Sequence, residues 1–171
     1  LTGKEIGYIT STAFWGFPVA IVIGGFIVDV IGMKRLLLLA FVLHLLGIIL
    51  TVVAKGFWPL YISTLLIGIG NGTVEAACNP LVASLFPDNK TTKLNHFHLW
   101  FPGGIVIGTL IVALFGQHIA GTALLSNWRI LVAVMLIPNI IYGLLFIRLK
   151  FPLTERVASG VSTGEMYKAV L

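Results

Sequence analysis

Charge is what this sequence has least of: 10% of its 171 residues are Asp, Glu, Lys or Arg, against about 25% in a typical soluble domain. So few ionised side chains cannot cover a water-facing surface, which excludes a soluble fold. With 58% hydrophobic residues and a mean hydropathy of +1.04, the outer face is expected to meet lipid. The single cysteine, Cys78, excludes an internal disulfide and a cysteine-based metal site. His96 and His98 are two apart, so they form no helical metal pair, and His44 and His118 stand alone, read as a satisfied core residue and a loop residue. The run Gly68-Ile69-Gly70-Asn71-Gly72 lacks the strand that a nucleotide loop requires. No metal and no cofactor is therefore expected. The net charge of +5 lies beside apolar segments rather than on a face of its own, so no nucleic acid is expected as a partner. No charged leader precedes a cleavable apolar stretch, and the chain starts at Leu1 without an initiator Met; a fragment is expected.

What is there is long apolar runs. A helix needs about 20 mostly apolar residues to span a bilayer, and five such stretches occur, at about 7–28, 36–54, 59–86, 95–115 and 130–147. The connections are short, so consecutive helices are antiparallel neighbours and the fold class is all-α integral membrane. Residues 149–171 turn polar and read as a cytoplasmic linker. Lys34, Arg35, Lys90, Lys93, Arg148, Lys150, Arg156 and Lys168 fall on one side, against Lys4, Lys55 and Arg129 on the other. The positive-inside rule makes the first side cytoplasmic, with the N-terminus outside and the C-terminus inside. An outside N-terminus without a signal peptide is simplest if one helix precedes it. Trp15, Trp58, Trp100 and Trp128 fall near the expected interfaces, and none is assigned to stacking on a ligand.

Two local patterns carry chemistry. At the end of the first span, Gly25, Asp29, Gly32, Lys34 and Arg35 lie within eleven residues. Gly25 would let another helix approach closely, Asp29 would accept from a helix N-terminus or pair with a base, Gly32 would permit a tight turn, and Lys34 and Arg35 would hold the anionic leaflet. In the third span Thr64, Gly68, Gly72, Glu75 and Asn79 recur at helical steps and share one small, polar face. Glu75 is the one acid inside a span, near the midplane, where an ionisable group costs at least about 2.5 to 3.5 kcal/mol and should face the bundle interior. It reads as a carboxyl that gains and loses a proton, or as a packing residue held by Asn71 or Asn79. Asn95, His98 and Pro102 share a face of the fourth span; His98 either meets a hydroxylated ligand or a proton, or is a solvated residue at the cytoplasmic end. Gly104-x-x-x-Gly108 is a helix-packing pattern.

The stretch from Gly25 through Asp29 and Gly32 to Lys34 and Arg35 resembles the signature between the second and third helices of the major facilitator superfamily, with Met33 where a basic residue is usual. The resemblance makes the five spans helices two to six of an N-terminal six-helix half. Within that superfamily, Glu75-Ala76-Ala77-Cys78-Asn79-Pro80, Lys93-Leu94-Asn95 and Arg148-Leu149-Lys150-Phe151-Pro152 are similar to motifs of the fucose:proton symporters. That likeness implies a secondary transporter working by alternating access, with Glu75 in contact with sugar and proton and His98 in place of a polar amide. The motif at Gly25, Asp29, Gly32, Lys34 and Arg35 would be a conformational latch. The expected partners are a hexose or deoxyhexose, protons, the lipid of a bacterial cytoplasmic membrane, and transporter helices beyond this chain. The alternatives are a facilitator or exporter of another small solute and a non-transporting scaffold. An enzyme is not expected, since no nucleophile and base or metal constellation is present.

Overall fold

The computed structural model describes residues 1–118, 128–162, 164–165 and 168; most of the expected connection between Gly116 and Arg129 and parts of the tail lie outside the described residues. In an apolar solvent every backbone N–H and C=O must be satisfied within the chain, and helices do this locally. The order is α1 (Gly3–Ile31), α2 (Met33–Val53), α3 (Phe57–Leu85), a 3-10 turn (Pro87–Asn89), α4 (Lys90–His118), α5 (Trp128–Val134), α6 (Leu136–Arg148) and α7 (Glu155–Ala158), with no strand among the described residues. At the start of α1, Glu5 N–H donates to Thr2 Oγ1 at 3.2 Å and Thr2 N–H to Glu5 Oε2 at 2.7 Å, a capping box that satisfies two otherwise orphaned donors.

By length and apolarity α1, α2 and the α5–α6 stretch Trp128–Arg148 are fit to cross a bilayer. The other two, α3 and α4, are each 29 residues long but carry more polar side chains. In α3 Ser63 and Thr73 are buried and Thr64, Glu75 and Asn79 partly so, because this helix packs along both α1 and α2.

Several boundaries differ from the sequence reading, each for a local reason. The expected first connection shrinks to Gly32, whose φ of +86° and ψ of 147° turn the chain between α1 and α2. Polar residues from Lys90 to Leu94, expected as loop, extend α4 beyond its apolar part, because helical hydrogen bonding continues past the edge of hydrophobicity. The last span is broken at Met135. Pro138 has no N–H to offer Val134, and the chain instead tightens through a Met135 N–H bond to Val132 O at 3.0 Å.

No side chain crowds the Cβ position at Gly32, so a substitution there meets only backbone strain. Gly32→Ala should therefore cost about 1–3 kcal/mol, read as a lower melting temperature of the detergent-solubilised protein. Gly25→Ala, in open space within a helix, should hold or raise it. An unchanged melting temperature for Gly32→Ala would refute the assignment of strain.

At the Gly32 end Val28, Met33, Leu36, Leu37, Ala76 and Ala77 form one buried cluster. Along α3, glycines bring backbones together: a Cβ on Gly68 would lie 2.7 Å from Ala13 O, and one on Gly72 would collide with Phe17 O. The hydroxyls of Thr12 and Thr64 meet at 2.7 Å across the same contact. The close approach expected of Gly25 belongs instead to its neighbour Gly24, packed on Ala76. Among the described residues, the helix α4 is only lightly attached, mainly through α3. Its Gly104 and Gly108 meet nothing within 4 Å, so the expected packing pattern has no partner among the described residues.

Candidate functional site

The inward polar face of α3 and one face of α4 build the site. Glu75 sits half-buried on α3, its Oε1 3.1 Å from Nδ1 of His98 on α4. One turn along α3, Asn79 Nδ2 donates to the same Oε1 at 3.4 Å. The Glu75–His98 contact serves with its proton on either side, since imidazole Nδ1–H donates to a carboxylate and a carboxylic O–H donates to a bare Nδ1. Two prolines lie within a turn of it. Pro80 leaves the Ala76 carbonyl, and Pro102 the His98 carbonyl, without a helical N–H, which puts acceptors near the site.

A cavity of about 330 Å³ opens onto this pair. Phe17, Phe97, Trp100, Phe101 and Phe146 line it along with Glu75, His98 and Asn71. Apolar walls with a few convergent polar groups are the usual make-up of a small-molecule site. Trp100, read from the sequence as an interfacial residue, is 73% exposed and also borders this cavity.

Of the expected site residues, Glu75, His98 and Asn79 come together. Asn71 faces the same cavity but accepts from His44 Nε2 at 3.0 Å rather than holding Glu75. Asn95 is exposed at the start of α4 and takes no part in the cluster. The reading of His44 as a satisfied core residue was incomplete: its Nδ1 also meets the Tyr142 hydroxyl at 2.8 Å, and both residues line the cavity. Nothing local in the sequence marks Tyr142, 98 residues away from its partner.

The Gly32 end carries a second cluster. Asp29 Oδ2 accepts from Arg156 Nε at 2.6 Å, and Oδ1 accepts from the Thr154 hydroxyl. Thr154 also caps α7, accepting from Val157 N–H. Of the two expected roles for Asp29, pairing with a base is the one realised, and the base comes from the segment read as an exposed linker. That segment is docked: Thr154 is buried, Phe151 packs on the core cluster, and Lys90 Nζ meets Glu155 Oε1 at 2.6 Å. Lys34, expected to hold lipid headgroups, donates to Ile147 O at 2.8 Å and Leu149 O at 2.9 Å. A cation is favourable there, against the carbonyls at the end of α6. Arg35 remains exposed. A cavity of about 400 Å³ joins Gly25, Asp29 and Arg156 to Asn79, so Asn79 stands between the two clusters.

Comparison with known proteins accords with this architecture. A family model described as Major Facilitator Superfamily matches residues 1–170. A D-xylose-proton symporter-like protein of Arabidopsis thaliana is 30% identical over 84% of this chain and 27% of its own length. Myo-inositol transporter 1 of Candida albicans is 24% identical over 85% of the chain and 26% of its own length, and hexose transporter 1 of Toxoplasma gondii is 32% identical over 70% and 21%. The chain thus spans about a quarter of the length of these curated relatives. No solved structure matches it. With its all-α build, its apolar spanning helices and a family match along nearly its whole length, the chain belongs to the major facilitator superfamily as an integral membrane protein.

Proposed function

We propose that this chain forms part of a secondary transporter that takes up a small hydroxylated solute, a hexose or deoxyhexose, together with protons by alternating access. The observation that carries the reading is the Glu75–His98 contact at 3.1 Å on the wall of an aromatic-lined cavity. A carboxyl and an imidazole in contact can exchange a proton and offer hydrogen bonds to a sugar hydroxyl, while aromatic faces suit its C–H surface. Relatives named as a xylose-proton symporter-like protein, an inositol transporter and a hexose transporter support a polyhydroxylated solute. The basic residues support placing the Gly32 end in the cytoplasm and the N-terminus of the chain outside. Further helices beyond this chain complete the machine, since the relatives are more than three times as long.

The test is uptake of labelled hexoses, deoxyhexoses and pentoses into proteoliposomes of the full-length protein under an imposed inward proton gradient. Accumulation that a protonophore collapses is the expected result. Transport that only equilibrates, with or without the gradient, would leave a facilitator and remove the coupling; no movement of any of these solutes would remove the sugar.

A further inference from the structure

His44 has no part in the function proposed above, yet it holds a position no other described side chain on α2 shares. A second cavity, about 560 Å³, lies on the Lys55 side of the one that holds Glu75. On α2 it takes Thr51 and Ile48 and ends at His44; on α3 it takes Thr64 and Ile67 and ends at Asn71. On α6 it takes Asn139 and ends at Tyr142. The Glu75 cavity begins at these same three residues and continues past them to Glu75 on α3 and Phe146 on α6. All three helices therefore pass from one cavity to the other at His44, Asn71 and Tyr142. Those three are hydrogen-bonded into one partition, with Tyr142 Oη at 2.8 Å from Nδ1 and Asn71 Oδ1 at 3.0 Å from Nε2.

The partners fix the tautomer. Asn71 Oδ1 only accepts, so Nε2 carries the hydrogen and the bare Nδ1 accepts from the Tyr142 hydroxyl. The ring is also seated by what is absent: a Cβ on Gly70 would lie 2.6 Å from His44 Cδ2 and 2.7 Å from Nε2. On the Lys55 side, Asn139 is 3% exposed and neither atom of its amide has a hydrogen-bond partner among the described residues, which marks that cavity as one that takes polar occupants.

The geometry points to His44 as a proton relay between the Lys55-side cavity and Glu75, a role that rests on the reading of Glu75 as a proton carrier. A proton reaching the Tyr142 oxygen forms a new O–H bond as the original O–H proton passes to Nδ1, leaving an imidazolium. The Nε2–H then passes to the Glu75 carboxylate through water in the inner cavity, each water accepting one proton as it gives up another, as Asn71 turns aside, and reorientation of the ring restores the first tautomer. One proton is moved and no electrons are transferred. The other titratable groups facing the partition are Tyr142 on α6, Glu75 on α3 and, across the inner cavity, His98 on α4, with Cys78 of α3 close to Tyr142. From α1 the inner cavity receives only Phe17 among the described residues, and from α5 the other cavity receives Leu131 and Val132.

The experiment follows the carboxyl C=O stretch of Glu75 by time-resolved infrared spectroscopy after a drop in pH on the Lys55 side of reconstituted full-length protein, the band being assigned by its loss in Glu75→Gln. His44→Gln, which bonds but does not titrate, should slow its appearance roughly 100-fold, the lower end of what a positioned proton-transfer group contributes. Gly70→Ala keeps the imidazole but unseats it, since the added carbon would lie within 3.3 Å of Cδ2, Nε2 and Cγ of the ring, and should slow the band likewise, with folding checked by the melting temperature of the solubilised protein. Added imidazole should restore the rate in His44→Ala, which a purely structural role would not allow. Wild-type rates in both His44→Gln and Gly70→Ala, or no rescue by imidazole, would overturn the relay while leaving Glu75 its role. A carboxyl band that never responds to pH would overturn the reading of Glu75 and the relay with it.

Discussion

Glu75→Gln should abolish proton-driven accumulation of solute while leaving exchange of solute across the membrane measurable. The amide keeps the length of the side chain, and its oxygen still accepts from His98 Nδ1 and Asn79 Nδ2, so the geometry of the pair survives. What is lost is the ability to release a proton. Concentrative uptake should fall by roughly 100-fold or more, in the range typical of removing a positioned proton-transfer group, and uptake should cease to follow the pH gradient. Binding and proton occupancy are linked through one carboxyl, so the loss is reciprocal: solute affinity should also stop varying with pH. The measurements are concentrative uptake and equilibrium counterflow on the same proteoliposomes. Accumulation by the Gln variant at the wild-type rate would show that the proton travels by another group and that Glu75 only packs α3 against α4.

The second large effect is expected at the other cluster, where Asp29 and Arg156 are 11% and 17% exposed and bonded at 2.6 Å. Removing one member of a buried pair leaves the other charge uncompensated, at a cost of about 3–5 kcal/mol. Asp29→Asn and Arg156→Gln should each loosen the segment that holds α7 against α1. If that segment acts as a latch, both should slow counterflow about tenfold or more, since 1.4 kcal/mol already changes a rate tenfold, while equilibrium solute affinity stays near wild type. The exchange Asp29→Arg with Arg156→Asp should recover part of the rate. Weakened binding at an unchanged transport rate would move these residues out of the latch and into the path of the solute.

The class of the fold was legible because it follows from a scarcity: a chain with so few charges has one solvent open to it, and in that solvent helices satisfy the backbone. The superfamily was legible for a different reason, since Gly32 is needed for the turn and Asp29 for a partner, and both stand in a fixed local spacing. Glu75 could be found because it interrupts an apolar run. Its partner His98 could be placed on a face by helical spacing, though only the packing of α4 on α3 brings the two together. Arg156 and Tyr142 could not be found, because their partners lie 127 and 98 residues away and no periodicity reports such a meeting. The carbonyl partners of Lys34 were hidden for a related reason. A base at a membrane edge has two acceptors within reach, lipid phosphate and the carbonyls of a helix end, and composition does not distinguish them.

The glycine contacts between α1 and α3 have a mechanical consequence. Where Gly68 and Gly72 bring main chain against main chain, no flexible side chain remains between the two helices to absorb displacement. Over that stretch a tilt of one helix is passed to the other, with Asp29 further along α1 and Glu75 three residues beyond Gly72 on α3. A displacement at Asp29 would then reach the helix that bears Glu75 through main-chain contact.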